Sequence, residues 1–140
     1  MADSTAATVE FELVSPQKLV ASEPVEMVVV PGAEGDLGVL PGHSPLIATV
    51  RPGVIDIHEK GKVRERIFVG GGFAEVSPER CTVLAEEAVP VADIDRAAAE
   101  ARLAEAKEKA AQAGEDEAAE AARQVAIAEG LVAAAASGGG

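Results

Sequence analysis

Val9, Phe11 and Leu13 alternate with Glu10 and Glu12, so one face of the segment is apolar and the other charged. That period-two pattern is the mark of a half-buried β-strand. It returns where Val63, Glu65, Ile67 and Val69 stand against Arg64, Arg66 and Phe68, and where Ile55 and Ile57 flank Asp56. Between these runs fall Ser15-Pro16, Pro31-Gly32, Arg51-Pro52-Gly53, Lys60-Gly61, Gly70-Gly71-Gly72 and Ser77-Pro78. These turn signals recur at about the 8 to 12 residue spacing of sandwiches and barrels. Residues 1–90 are predicted to form a β-sandwich with a flattened barrel outline.

After Pro90 the chain turns to Ala, Glu, Lys and Arg, with no proline and no glycine until Gly114. The pattern predicts an antiparallel α-helical hairpin over 91–140, making the whole chain mainly β with a helical C-terminal part. Asp93 or Asp95 caps the first helix and Gly114 ends it. Asp116 caps a second helix from about Glu117 to about Ala135, with Gly130 as a weak point inside it and a frayed end from Ser137. Large apolar residues are few here: Ile94, Leu103, Val125, Ile127, Leu131 and Val132. Alanine fills most other inward positions and, at about 25 cal/mol per Å², buries little. The hairpin is therefore expected to hold loosely and to be the mobile part.

Charge narrows the partners. Lys plus Arg number 12 and Asp plus Glu 24 in 140 residues, a net charge of −12. The excess is shared, with 14 acids and 7 bases in residues 1–92 and 10 and 5 in residues 93–140. Such a chain repels nucleic-acid backbones and anionic membrane surfaces, and its electrostatic partners are expected to be basic. A single cysteine, Cys81, excludes an internal disulfide and fits a reducing compartment. The start at Met1 lacks the basic stretch and apolar core of a secretory signal, and no apolar run approaches the roughly 20 residues that span a bilayer. The expectation is a cytosolic, bacterial chain with no direct membrane insertion, held at a membrane by another protein.

Catalytic chemistry finds little support. His43 and His58, the two histidines, stand at no metal-ligand spacing with Cys81 or each other, so no metal is expected. Gly70-Gly71-Gly72 lacks the Lys-Ser/Thr and helix onset of a phosphate loop and reads as a bulge or tight crossover. Cys81, in an apolar strand, reads as a buried structural thiol. No nucleophile and base arrangement is evident, and Glu86 and Glu87 read as solvated acids at a strand end. His58 reads as a solvated turn residue. For His43, a bond to local backbone and a role at an interface both fit. The same is true of Glu34 and Asp36, either solvated loop acids or charges that orient a basic partner.

The most informative segment is Gly35-Asp36-Leu37-Gly38-Val39-Leu40-Pro41-Gly42-His43-Ser44-Pro45-Leu46-Ile47. Its glycines permit unusual backbone angles and its prolines fix theirs, predicting a stiff surface loop suited to recognition. This segment resembles the signature loop of the epsilon subunit of bacterial F-type ATP synthase. The resemblance extends to Val14-Ser15-Pro16, Glu34 through Pro45, Arg51-Pro52-Gly53-Val54, Val69 through Val76, Thr82 through Glu86, and Asp93-Ile94-Asp95. It implies a β-sandwich followed by two antiparallel helices. It also implies a non-catalytic central-stalk subunit, bound to gamma and to the c ring, that transmits proton-driven rotation to ATP synthesis. By position, Glu34 and Asp36 match acids facing basic loops of the c ring, and Pro41, His43 and Ser44 match the surface near gamma. The implied location is peripheral, on the cytoplasmic face of the inner membrane.

In some members of that family the hairpin reaches into the alpha/beta head and blocks hydrolysis, and in some it folds around ATP through Ile/Leu-Asp-x-x-Arg-Ala. Here the run is Ile94-Asp95-Arg96-Ala97-Ala98-Ala99, with Ala98 at the arginine position. Arg102 lies one turn onward, and Arg123 is the one base of the second helix. Ile94, Asp95, Arg102 and Arg123 are the regulatory candidates. A methyl group cannot pair with phosphate, so no bound nucleotide cofactor is expected, and inhibition by the hairpin is expected to be weak. The competing reading is a soluble ligand-binding sandwich with a helical oligomerisation tail.

Overall fold

The computed structural model describes residues 7–138. Strands β1 (Val9–Val14), β2 (Leu19–Val25), β3 (Met27–Gly32), β4 (Gly35–Val39), β5 (Leu46–Glu59), β6 (Lys62–Val76) and β7 (Arg80–Ala85) pair in the order β2-β1-β7-β6-β5-β3-β4. A short β8 (Ala88–Pro90) adds to β6. Pairing is antiparallel except between β1 and β7.

One continuous ladder makes two layers because β5 and β6, 14 and 15 residues long, bend together. Leu46–Val50 pairs with Gly72–Val76, beside β7, β1 and β2. Pro52–Glu59 pairs with Lys62–Gly70, beside β3 and β8. At the corner the inward-facing set changes phase in both strands. Val50, Ala74 and Val76 are buried on one side of it, and Ile55, Ile57, Ile67 and Val69 on the other. Gly71 and Gly72 carry φ of 102° and 144°, and a Cβ on Gly72 would lie 2.0 Å from the Leu84 carbonyl oxygen. Only glycine fits there.

Arg51-Pro52-Gly53, expected as a turn between strands, is thus a bend inside β5. Its turn chemistry serves the corner, while cross-strand pairing runs on through it. The core matches the alternation elsewhere: Val9, Phe11 and Leu13 are fully buried with Val28, Val30 and Val83. Lys60 and Gly61, at φ of 55° and 76°, form the two-residue hairpin turn that the right-handed twist of β5 and β6 favours.

A 3₁₀ turn (Val91–Asp93) leads to α1 (Arg96–Gln112) and α2 (Ala118–Gly138). Asp95, rather than Asp93, caps α1 by accepting from the Ala98 N–H at 3.1 Å. The second helix starts at Ala118, one residue later than expected, with Glu117 rather than Asp116 at the cap position: the Glu117 carbonyl accepts the Ala121 N–H. It also runs past Ala135. Ser137 is helical, its Oγ donating to the Ala134 carbonyl at 3.1 Å and accepting from Arg66 Nη1 at 3.3 Å. The rest of the expected frayed end, Gly139 and Gly140, lies outside the described residues.

Alpha-helix α2 lies on the outer face of the β5/β6 layer. Phe68, placed on the polar phase by alternation, is fully buried there with Val91, Ala99, Ile127, Leu131 and Ala134. That strand is covered on both faces, so alternation alone misassigns it. Gly130 is a docking contact rather than a weak point: a Cβ there would meet Phe68 at 3.1 Å and Pro52 at 3.3 Å. Among the described residues no helix is long and apolar enough to cross a membrane.

Candidate functional site

The thirteen-residue signature segment is not a single loop. Gly35–Val39 is the edge strand β4, residues 40–45 form a connecting loop, and Leu46 and Ile47 open β5. Gly32 pairs with Gly35 and Pro31 with Asp36, leaving Ala33 and Glu34 as a two-residue tip. The tip is tied to β5 by the Ala33 N–H donating to the Thr49 carbonyl at 2.8 Å. Glu34 and Asp36 are both exposed. The Asp36 carboxylate accepts from Arg51 Nη2 at 2.7 Å, while Nη1 of the same guanidinium donates to the Gly32 carbonyl. Arg51, from β5, thus links Asp36 to the backbone beside the tip.

Pro41, His43 and Ser44 sit at the other end of β4, five residues away, or roughly 15 Å at the rise of an extended strand. The structure does not bring the two groups together. The Gly42 N–H donates to the Pro78 carbonyl at 2.8 Å, fastening this loop to the β6–β7 turn. His43 Nδ1 donates to the Ser44 carbonyl at 2.7 Å. The histidine thus makes the local backbone bond.

An apolar row on the outer face of the opposite layer went unread in the sequence. Cross-strand register places Thr49, Phe73, Leu84, Val14 and Leu19 side by side. Phe73 is 58% exposed, Leu84 55% and Leu19 58%, and nearby Ile47 reaches 71%. Large apolar groups so exposed and so contiguous mark an interaction surface. The signal lay in the phase of the strands. In β7, Cys81, Val83 and Ala85 point inward, which leaves Leu84 on the phase where a polar residue would be expected. The row lies on the layer not covered by the hairpin, and Leu46 and Ile47 join it to the loop of His43.

The regulatory candidates take structural parts in the docked hairpin. Ile94 is half-buried against the Phe68 cluster, and Asp95 is the α1 cap. Arg102 makes a two-pronged pair with Glu87, both bonds 2.8 Å. Arg123 of α2 pairs with Glu86 and with Glu120 of its own helix. Glu86 and Glu87 were both expected to be solvated: Glu86 is exposed but pairs with α2, and Glu87 is half-buried and pairs with α1. Gly70 leaves room for Glu87 beside α2: a Cβ there would lie 2.8 Å from Glu87 Cγ and 3.4 Å from Ile127 Cγ2. Hydrogen bonding to Arg102 lowers the pKa of the Glu87 carboxyl against the opposing effect of its partial burial. Hydrogen bonds from Arg123 and Gln124 hold exposed Glu120 down to about 2.

Burial raises the Cys81 thiol to about 11, and among the described residues no His, Cys, Asp and Glu group stands ready to hold a metal ion.

Residues 8–91 match the family model of the ATP synthase delta/epsilon chain β-sandwich domain. An ATP synthase epsilon chain of Rhodospirillum rubrum is 58% identical over 130 residues, covering 92% of this chain and 97% of its own. That of Paramagnetospirillum magneticum is 57% identical over 130 residues, covering 92% and 98%. A chain from the cryo-EM structure of the Euglena gracilis mitochondrial ATP synthase, OSCP/F1/c-ring in rotational state 1, superimposes with a TM-score of 0.77. It is 28% identical over 91% of this chain and 81% of its own. A chain of the Tetrahymena thermophila mitochondrial ATP synthase central stalk and c-ring shares the fold, with a TM-score of 0.52 and 15% identity, covering 61% of this chain and 69% of its own. Sandwich, signature segment and hairpin all fall within the likeness, and the chain belongs to the ATP synthase delta/epsilon family.

Proposed function

We propose that this chain is a non-catalytic central-stalk subunit of a proton-translocating F-type ATP synthase, coupling rotation of the c ring through gamma to ATP synthesis. The observation that carries this reading is likeness along 92% of the chain, hairpin included, to chains described as ATP synthase epsilon chains. Its place is peripheral, on the cytoplasmic face of a bacterial inner membrane, where its partners hold it.

The geometry supports a connector. The acidic tip of Glu34 and Asp36, braced by Arg51, presents charge to the basic loops of a c ring. Pro41, His43 and Ser44, continuous with the apolar row of Phe73, Leu84 and Leu19, present a surface to gamma. A rotor part must carry shear without slipping, and close apolar packing with paired charges at its edge resists shear. Ile94, Asp95, Arg102 and Arg123 act on regulation through the hairpin's docking, and contact with the alpha/beta head requires that docking to be released. Truncation of residues 91–140 should leave assembly intact and change hydrolysis little.

The test is capture of partners from detergent-solubilised membranes by the tagged full-length chain. Recovery of gamma and c subunits, with c weakened selectively by Glu34→Lys and Asp36→Lys, is the expected result. Recovery of neither would overturn the stalk reading.

A further inference from the structure

We infer that Glu86 and Glu87 are a two-point latch that fixes the hairpin on the sandwich, each carboxylate holding one helix. The need for a latch follows from the packing. Helix α1 buries one residue, Ala99, in its 17; Leu103 is its one large apolar side chain and is half-buried, and the half-buried Ala106 and Ala110 contribute little area. It rests on α2 more than on the sheet. Among the described residues its one ion pair to the sandwich is Arg102 with Glu87. That pair is the strong kind: a planar guanidinium and a carboxylate joined by two parallel bonds fix angle as well as distance. Both side chains are about one-third exposed, 34% and 37%, so water screens them only in part.

Helix α2 is held by Ile127, Leu131 and Ala134 against Phe68, and its C-terminal end by the hydrogen bond from Arg66 to Ser137. Arg123 ties down its N-terminal half. It is fixed on α2 by Glu120 through Nε and Nη2, at 2.9 and 2.8 Å, and reaches Glu86 with Nη1. Two acids adjacent on the β7–β8 connection therefore register both helices, and the pairs are satisfied together only when the hairpin is docked as a unit. Losing Glu87 frees α1 while α2 keeps its apolar seat. Losing both lets the hairpin slide or leave. The inference concerns the free chain and stands apart from the stalk reading.

The experiment is a spin-label distance measurement on the full-length chain, with labels on Ser22→Cys in β2 and Ala104→Cys in α1. Cys81, fully buried, stays unlabelled. The unaltered pair should give one narrow distance. Glu86→Gln with Glu87→Gln, which keeps shape and removes charge, should broaden it or add a longer population, with far-UV circular dichroism unchanged. The exchange Glu87→Arg with Arg102→Glu, in the Glu86 background, should restore the narrow distance that Glu87→Arg alone destroys. A narrow distance that survives the double glutamine change would overturn the latch. So would a broad distance in the unaltered chain, or an exchange that restores nothing.

Discussion

Gly130 of α2 sits directly over Phe68 of β6, close enough that a Cβ would approach the ring to 3.1 Å. The helix therefore lies so near the sheet that even a methyl group at 130 would be tight, and the ring of Phe68 is sealed from water. Gly130→Val should push the helix outward. Overpacking of this kind costs about 1–3 kcal/mol, and the cost should fall on the hairpin while the sandwich core of Phe11 and Ile55 stays intact. Amide exchange should show faster exchange in α2 with unchanged protection in β1 and β5; uniform loss across both would mean that the two parts unfold as one.

Asp95 makes the single described side-chain cap of α1. Asp95→Ala should cost about 1 kcal/mol, the usual value of such a cap. The loss should appear first at Arg96 through Ala99, read as faster amide exchange there, with Asp95→Ser recovering most of it. No recovery by serine would assign the effect to something other than capping.

The pairing of Glu87 with Arg102 makes hairpin docking sensitive to acid. Arg102 holds the Glu87 pKa below the ordinary 4.5, and Arg102 itself stays charged throughout. A carboxylate with a lowered native value contributes its full share above the ordinary value and loses it as pH falls through the native one. Glu86, Arg123 and Glu120 stand in the same group of charges. The label distance described above should therefore be constant from neutral pH down to about 5 and broaden below the ordinary carboxylate range. In Glu87→Gln that acid-induced change should shrink; an undiminished change would place the sensitivity in another group.

How far the chain could be read in advance depended on how many faces each element buries. Val9, Phe11 and Leu13 bury one face, so alternation identified them, and the break at Pro90 marks where strands give way to helices because composition shifts there abruptly. Phe68 was misplaced because its strand is covered by α2 on the side that alternation assigns to water. Arg51-Pro52-Gly53 was misread because a sandwich corner uses the same residues as a chain reversal, and only pairing with Gly70 and Gly72 tells them apart. Glu86 and Glu87 carried no local mark of their partners, which lie 15 residues away for Arg102 and 37 for Arg123. The apolar row escaped for a related reason: Leu19, Phe73 and Leu84 come from three strands, and register alone assembles them. Glu34, Asp36, Pro41, His43 and Ser44 are singled out by resemblance alone, and the structure adds that the two acids and the other three lie at opposite ends of β4.

The central claim is that this chain couples rotation, and membrane vesicles carrying an ATP synthase stripped of its epsilon chain test it most directly. ATP-driven proton pumping per ATP hydrolysed should be low in the stripped vesicles and should rise when the chain is added back. Phe73→Glu with Leu84→Glu, which places charge on the apolar row, should fail to restore it at concentrations where the unaltered chain succeeds. Full coupling without the chain, or full restoration by the doubly charged variant, would contradict the account.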